Sequence, residues 1–336
     1  MATAAATVVC VAARLPHHLV TTTGIRGWAL VLVVVVFVVN GAAALARAPL
    51  TFAKAHRDGT SLSRWATGEA KAWLVTSAFG ALLTLPLYAL LRATPAWWLW
   101  AWGLFAVVTI GGVMATPLAL RARSGPLAPA APALAHRLRD VGRRGDLDIG
   151  GGVLVAGPRA DRRCNAYVVG LGPTRRVVLE DALAAWPPAL VDQVVAHELG
   201  HWRLGHTARR LPLTVITQLA TFAIAAWALA TAPVLGWAGV AAAGDPRSYP
   251  MILLLTPALA LPARCLLAWR DRAQERAADR FALALLDAPA DFAAMLERAA
   301  DEGGAARQLS PWRRLTASHP PIDERALACT RSASII

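Results

Sequence analysis

Two histidines and a glutamate lie close together in the segment His197-Glu198-Leu199-Gly200-His201. In a helix, His197 and His201 are one turn apart on the same face, so both imidazoles can reach one metal ion. Glu198 then lies beside that ion, where its carboxylate can take a proton from water. The alternative is a helix that merely carries two histidines. The pattern favours a zinc site in which Glu198 is the general base.

The third metal ligand does not follow from this segment alone. A catalytic zinc ion usually has three protein ligands and one position open to water. A metzincin would place a glycine at position 204 and a histidine at position 207, where this chain has Leu204 and Thr207. His206 is one residue short of that position. We therefore expect His206 to cap the end of the helix or to pack there.

A glutamate on a second helix is the other common third ligand, and Glu275 is the best candidate. Glu275 and Asp279 are four residues apart and share one helix face. Asp279 is then placed to accept the second ring N–H of a ligating histidine. The alternative is a solvent-exposed charged face, because Arg272, Arg276 and Arg280 are close in sequence. The spacing alone leaves both interpretations open.

The composition indicates a membrane protein, with 56% hydrophobic residues, 16% charged residues and a mean hydropathy of +0.46. A bilayer core of about 30 Å requires about 20 apolar residues. The candidate runs are residues 27–46, 72–91, 93–120, 211–244 and 248–263, the last extended past Arg264 to Trp269. That last run is the weakest and is also compatible with a buried core helix. We predict about five transmembrane helices.

The net charge of +13 comes mostly from arginine, and no nucleic-acid-binding motif is present. The expected partner for this charge is therefore the lipid bilayer and not a nucleic acid. Four basic residues between positions 54 and 71 place the loop after the first run in the cytoplasm by the positive-inside rule. Counting helices from there puts His201 and Glu275 at the same, cytoplasmic face. We expect a multi-pass protein of a bacterial cytoplasmic membrane.

One extended polar region follows a proline-rich linker at 126–132. It is predicted to contain an amphipathic helix at 133–144 and short strands at 153–155, 166–169 and 176–179. The predicted fold is mainly α: a polytopic membrane protein with a zinc-metallopeptidase helical core and a small β-sheet beside the active site. We divide the chain into a membrane region with three helices, a cytoplasmic part with the sheet and zinc helix, two further membrane helices and a C-terminal part, at 1–123, 124–210, 211–270 and 271–336.

Four motifs together resemble the integral-membrane zinc metalloendopeptidases typified by the type I CAAX prenyl protease, to which HtpX is related. They are the zinc helix with its tail at 197–207, Asn165-Ala166-Tyr167 with the strand that follows, the Glu-x-x-x-Asp helix at 275–281, and the His-Pro segment at 318–321 with Arg325. The resemblance implies one Zn²⁺ per chain, with His197, His201 and Glu275 as ligands and Asp279 behind them. It also implies a peptide or protein substrate, which is C-terminally lipidated in the prenyl proteases.

The resemblance further implies roles around the zinc ion. The substrate would lie extended along the strand that contains Asn165, Ala166 and Tyr167, and would pair with its backbone. His319 and Arg325 would steady the oxyanion or the peptide backbone. The alternatives are a turn residue for His319 and a structural ion pair for Arg325.

The chain departs from the family pattern at Cys164, where the family usually has serine. It is shorter than the prenyl protease, and we expect it to lack that enzyme's first span. No sequence feature shows a lipid-modified substrate. We interpret the chain as a membrane-embedded zinc-dependent endopeptidase similar to CAAX prenyl proteases. The rival hypotheses are an HtpX-like quality-control protease of membrane proteins and a catalytically silent membrane scaffold or transporter.

Overall fold

The computed structural model describes residues 16–57, 60–116, 126–150, 152–157, 164–169, 176–231, 249–302 and 305–333, together with Gly236, Ala242 and Asp245. In chain order the elements are α1 (Pro16–Arg57), α2 (Leu62–Ala93), α3 (Trp97–Met114), β1 (Leu127–Pro129), α4 (Pro132–Arg144), β2 (Val153–Ala156), β3 (Ala166–Val169), β4 (Arg176–Leu179), α5 (Asp181–Ala184), α6 (Pro188–Arg203), α7 (His206–Leu229), α8 (Tyr249–Leu286), α9 (Pro289–Asp301), α10 (Pro311–Thr316) and α11 (Ile322–Ala333). They form two compact units, Met1–Val107 with Thr217–Leu261, and Val108–Ile216 with Pro262–Ile336.

Four helices of the described chain are long and apolar enough to cross a membrane: the segment Leu32–Pro49 of α1, and α2, α3 and α7. Large apolar side chains point away from the protein on these helices, such as Leu82 at 65% exposure and Trp227 at 71%. Such surfaces are favourable in lipid and unfavourable in water. These helices indicate an integral membrane protein and confirm the mainly helical, polytopic fold.

Two of the five predicted apolar runs differ in extent from the helices that the structure shows. The run at 211–244 forms most of α7, and the greater part of its later half lies outside the described residues. The run at 248–263 opens α8, a helix of 38 residues that continues to Leu286 and is not among the four candidate spans. The described chain therefore has four candidate spans where about five were predicted.

The core of the first unit joins α2, α3 and α7. Leu87 and Leu91 of α2 cluster with Trp97 of α3 and with Phe222 and Leu229 of α7. Each of these side chains is at most 6% exposed. Trp97 and Phe222 meet edge to face, with ring centroids 6.5 Å apart. This aromatic contact adds to the burial of apolar surface that holds the ends of the three helices together.

A four-stranded sheet in the order β1-β2-β4-β3 forms part of the second unit. β2 and β4 are parallel, and the two outer pairs are antiparallel. Residues Val177, Val178 and Leu179 of the central strand β4 are at most 1% exposed, as expected for a strand covered on both faces. The strands predicted at 153–155, 166–169 and 176–179 and the helix at 133–144 are confirmed. Strand β1, inside the segment predicted to be a linker, was missed.

Helix α6 approaches α8 closely at Gly200. A Cβ atom on this glycine would lie 3.2 Å from the Cα of Ala278 and 3.0 Å from Cδ1 of Phe281. A side chain at such short distances would force neighbouring atoms to move, because protein interiors are densely packed. The absence of a side chain at position 200 therefore sets the distance between the two helices, and with it the separation of His197 and His201 from Glu275.

We predict that Gly200→Ala destabilises the protein, because the added methyl group pushes α6 away from the Ala278 backbone. A loss of about 1–3 kcal/mol in the free energy of unfolding is expected, measured by thermal or denaturant unfolding in detergent. Gly111→Ala in α3 is the matched control, since its Cβ would have no atom within 4 Å. That change should be neutral or stabilise by about 0.5–1 kcal/mol. Equal stability of the two variants would contradict the close approach.

Candidate metal centre

His197, His201 and Glu275 converge from two helices on one point. The two Nε2 atoms are 3.1 Å apart. Nε2 of His201 lies 3.2 Å from Oε1 of Glu275, and Nε2 of His197 lies 3.5 Å from Oε2 of the same carboxylate. His197 and Glu275 are buried, whereas His201 is partly open to solvent. The structure thus brings together the three residues that were predicted as ligands.

These three side chains fit a divalent metal ion. In a tetrahedral site with ligand distances of about 2.0–2.1 Å, the donor atoms are about 3.3 Å apart, close to the separations observed. Oε2 of Glu275 is also buried and makes no hydrogen bond of regular geometry among the described residues. A cation would satisfy that oxygen. Two imidazole nitrogens and one carboxylate oxygen are also a donor set that suits zinc.

The surroundings of His197 favour a positive charge. Burial lowers the pKa of His197, but the carboxylates of Asp279 and Glu275 outweigh it and raise the pKa to about 9. Burial likewise raises the pKa of Glu275, yet its three histidine neighbours hold that pKa below the ordinary value of a glutamate. A ligating histidine must be unprotonated, so a metal ion takes the place of the proton. The environment that would protonate His197 is therefore the environment that attracts a cation.

Asp279 lies behind His197, on the side away from Glu275. Its Oδ1 is 2.9 Å from Nδ1 of His197, although off the line of a regular hydrogen bond. Arg325 donates to both oxygens of Asp279, from Nε at 2.9 Å and from Nη2 at 2.6 Å. Such a two-pronged pair fixes the carboxylate plane. Asp279 thus has the predicted position, and Arg325 forms the ion pair that was its alternative role, while its contact with substrate stays a prediction.

His319 and Glu198 are two further titratable groups beside the three candidate ligands. Nδ1 of His319 lies 2.9 Å from Oε2 of Glu275, and its side chain is 67% exposed. This contact with Glu275 raises the pKa of His319 above its ordinary value. Glu198 is partly exposed, yet the surrounding protein raises its pKa by burial. A raised pKa suits a carboxylate that is to act as a general base near neutral pH.

His206 has a position that the sequence did not reveal. It is 6% exposed, and its Nδ1 lies 2.9 Å from Nδ1 of His201. If His201 binds metal through Nε2, its Nδ1 carries the hydrogen and donates to His206, which fixes the ring. The sequence feature that could have indicated this position is the glycine at 205. Its φ of 63° lets the chain turn between α6 and α7, which brings His206 back to His201.

Strand β3 forms one edge of the sheet and packs against α6. The Oδ1 atom of Asn165 accepts from the backbone N–H of Ala166 at 2.9 Å, and its Nδ2 donates to the hydroxyl of Tyr167 at 3.1 Å. Its backbone oxygen accepts from the N–H of Glu180 at 2.9 Å. Asn165 therefore fixes the start of the edge strand. In the described part of the chain β3 has a neighbouring strand only on the β4 side, so its other edge can pair with an extended peptide.

We predict that His206→Ala weakens metal binding about 10–100-fold, because the ring of His201 loses its partner. His206→Asn should restore most of the affinity, since its side-chain oxygen can accept the same hydrogen. Thr207→Ala, at an exposed neighbouring position, is the control. Competition with a chromophoric chelator measures the Kd for zinc. A Kd equal to that of the Thr207 variant would contradict the role of His206.

Comparison with known proteins adds the fold and the family. The crystal structure of S. mikatae Ste24p matches with a TM-score of 0.74 and 17% identity, over 96% of this chain and 80% of that one. The CAAX prenyl protease 1 homolog of Dictyostelium discoideum is 25% identical over 149 residues, 43% of this chain and 35% of that protein. The homolog of Oryza sativa subsp. japonica is 29% identical over 187 residues, 52% of this chain and 42% of that protein. The chain thus spans less than half the length of these two relatives.

The sequence profile of peptidase family M48 matches residues 153–332. This match is more than half of the 336 residues, and it includes strands β2, β3 and β4, helix α6 and the His-Pro segment. It confirms the resemblance to the CAAX prenyl protease-like family that the motifs indicated. The chain therefore belongs to peptidase family M48, a family of metallopeptidases.

Proposed function

We propose that this protein is a membrane-embedded, zinc-dependent endopeptidase similar to CAAX prenyl proteases. The observation that carries the proposal is the convergence of His197, His201 and Glu275, whose donor atoms lie 3.1, 3.2 and 3.5 Å apart. Glu198 follows His197 directly on the same helix. This set contains the metal ligands and the base that peptide hydrolysis by activated water requires.

One zinc ion per chain would be held by His197, His201 and Glu275. Zinc at such a site supplies a lowered pKa for water and polarisation of the scissile carbonyl. Asp279 and His206 would keep the two imidazoles oriented, each from the nitrogen that faces away from the metal. The buried pair of Asp279 and Arg325 supports His197 from behind.

Glu198 would move the proton. Its carboxylate takes a proton from the attacking water and gives it to the amine of the departing peptide. His319 lies on the open side of the site, where its ring can donate to the oxygen of the scissile carbonyl as negative charge develops there. Nδ1 of His319 lies 2.9 Å from Oε2 of Glu275, and this contact keeps the ring beside the proposed metal ligands.

The substrate would add a strand to the open edge of β3. Main-chain hydrogen bonds along Ala166 and Tyr167 would hold it extended, with Asn165 fixing the strand where it begins. Since β3 packs against α6, the peptide would pass close to the zinc helix. Arg325 would contribute mainly through Asp279, because both oxygens of that carboxylate hold its guanidinium.

The substrate class follows from the relatives and not from this chain. Both are named as homologs of CAAX prenyl protease 1, which points to peptides or proteins with a lipidated C-terminus. The positive-inside charge pattern supports a site on the cytoplasmic side of the membrane, which we propose to be a bacterial cytoplasmic membrane. In the proposed division of the chain, the parts at 124–210 and 271–336 supply the site.

We predict that the purified protein cleaves a prenylated C-terminal peptide faster than its unprenylated counterpart. Glu198→Gln should lower kcat by about 10²–10⁴-fold and leave about one zinc ion per chain, because the amide keeps the shape but cannot take the proton. Peptide cleavage and metal analysis are measured on the same samples. Undiminished cleavage by the Glu198 variant would disprove the proposed base, and equal cleavage of both peptides would favour the quality-control alternative.

We also predict that Glu275→Ala lowers both zinc occupancy and cleavage, because the site loses its carboxylate ligand. The matched control is Glu324→Ala, which removes a carboxylate that pairs with Arg276 and Arg314 outside the metal centre. Zinc per chain, measured after dialysis against a weak chelator, should fall only in the Glu275 variant. Unchanged zinc in that variant would mean that the third ligand lies elsewhere.

A further inference from the structure

A cavity of about 580 Å³ lies within the first unit, between the end of α2, the start of α3 and the end of α7. Three tryptophans line it, Trp97 and Trp98 from α3 and Trp227 from α7, together with Arg92 near the end of α2. The volume lies within the range of about 300–1,000 Å³ that is usual for small-molecule sites. Nothing in the peptidase site described above uses these residues.

Among the described residues that line the cavity, Arg92 is the single charged one. It separates two uncharged runs, 72–91 and 93–120, which form most of α2 and α3. Both helices are candidate spans, and Arg92 is in the last turn of α2, just before the link to α3. A charge between two apolar spans belongs at the level of the lipid headgroups, where tryptophan is also enriched. The cavity therefore lies at the depth of a membrane interface.

The walls of the cavity combine a packed side and an open side. Trp97 is 3% exposed and packs against Phe222, so this wall is held in place. Trp227 is 71% exposed and presents a large apolar ring on the outer face of α7. A ligand could thus rest on fixed rings while part of it extends outward along the helices. This arrangement fits an amphiphile better than a fully soluble molecule.

The charge of the residues that line the cavity indicates which head group the amphiphile has. The Arg92 side chain is exposed, with its guanidinium carbon 5.9 Å from the centre of the Tyr88 ring. Asp245 is near enough for its charge to act on Tyr88, but it does not line the cavity. The lining residues that the structure describes therefore carry one positive charge and no carboxylate. A guanidinium matches the geometry of a phosphate group, and these residues offer no anion to an ammonium group.

We propose that this cavity binds one anionic phospholipid, with the phosphate on Arg92 and the glycerol and first acyl carbons against Trp98 and Trp227. The remaining acyl chain lies in the bilayer along α7. The site is independent of the metal centre and of the proposed peptidase activity. Its effect is to join α2, α3 and α7 where the three helices end.

The test compares phosphatidylglycerol with phosphatidylcholine of the same acyl chains, added to the whole protein in an uncharged detergent. We predict that phosphatidylglycerol raises Tm by about 3 °C or more above phosphatidylcholine, because a bound ligand stabilises the folded state. Arg92→Gln should abolish this difference and weaken lipid binding about tenfold, as expected when a charged hydrogen bond is lost. Native mass spectrometry measures the bound lipid directly.

Arg64→Gln is the control, since it removes a charge from the opposite, exposed end of α2. It should keep the full preference for phosphatidylglycerol. Trp227→Ala should reduce binding of both lipids, and inorganic phosphate alone should not raise Tm. Each comparison is made between lipids within one variant, so a general loss of stability does not affect it. A preference that survives in Arg92→Gln, an equal loss in Arg64→Gln, or a response to phosphate alone would overturn the proposal.

Discussion

Two carboxylates on one face of α8 are buried inside the second unit, and the rest of the site is arranged around them. Glu275 and Asp279 are 6% and 7% exposed, and a buried carboxylate is costly unless charged or hydrogen-bonding partners compensate it. The partners come from two other helices and a loop. Helix α6 supplies His197 and His201, α11 supplies Arg325, and the segment before α11 supplies His319. Compensation of these two charges therefore joins elements that are far apart in sequence.

The same constraint explains why the close approach at Gly200 matters. Contacts of 2.6–3.5 Å between α8 and its partners leave no room for helices separated by a larger side chain. A glycine on α6 opposite Ala278 on α8 allows that spacing. Packing and electrostatics thus favour the same geometry. A wider gap between α6 and α8 would weaken their packing and would also leave the two carboxylates without partners.

The parts of the site that were predicted from sequence are those in which the spacing of residues along one helix determines which side chains share a face. Residues four apart on a helix share a face, and this rule predicted the pairing of His197 with His201. For Glu275 and Asp279 the same spacing left a solvent-exposed charged face as an alternative, and only the resemblance of their helix to the family motif favoured the metal site. The Arg325 ion pair depends on how α11 packs against α8, which no local pattern encodes. His206 depends on a left-handed turn at Gly205. Strand β1 was missed because the alanines and prolines of the segment that contains it are typical of a linker, yet as an edge strand it tolerates its single proline, Pro129.

The turn at Gly205 has a mechanical consequence. The residue that follows it, His206, is both the first residue of a candidate membrane span and the partner of the His201 ring. A helix moves largely as one body, and membrane helices tilt to match the thickness of the surrounding hydrocarbon. The tilt of α7 and the orientation of His201 are therefore not independent. We therefore expect a change in bilayer thickness that tilts α7 to turn His206 and, through the 2.9 Å contact between the two Nδ1 atoms, the ring of His201.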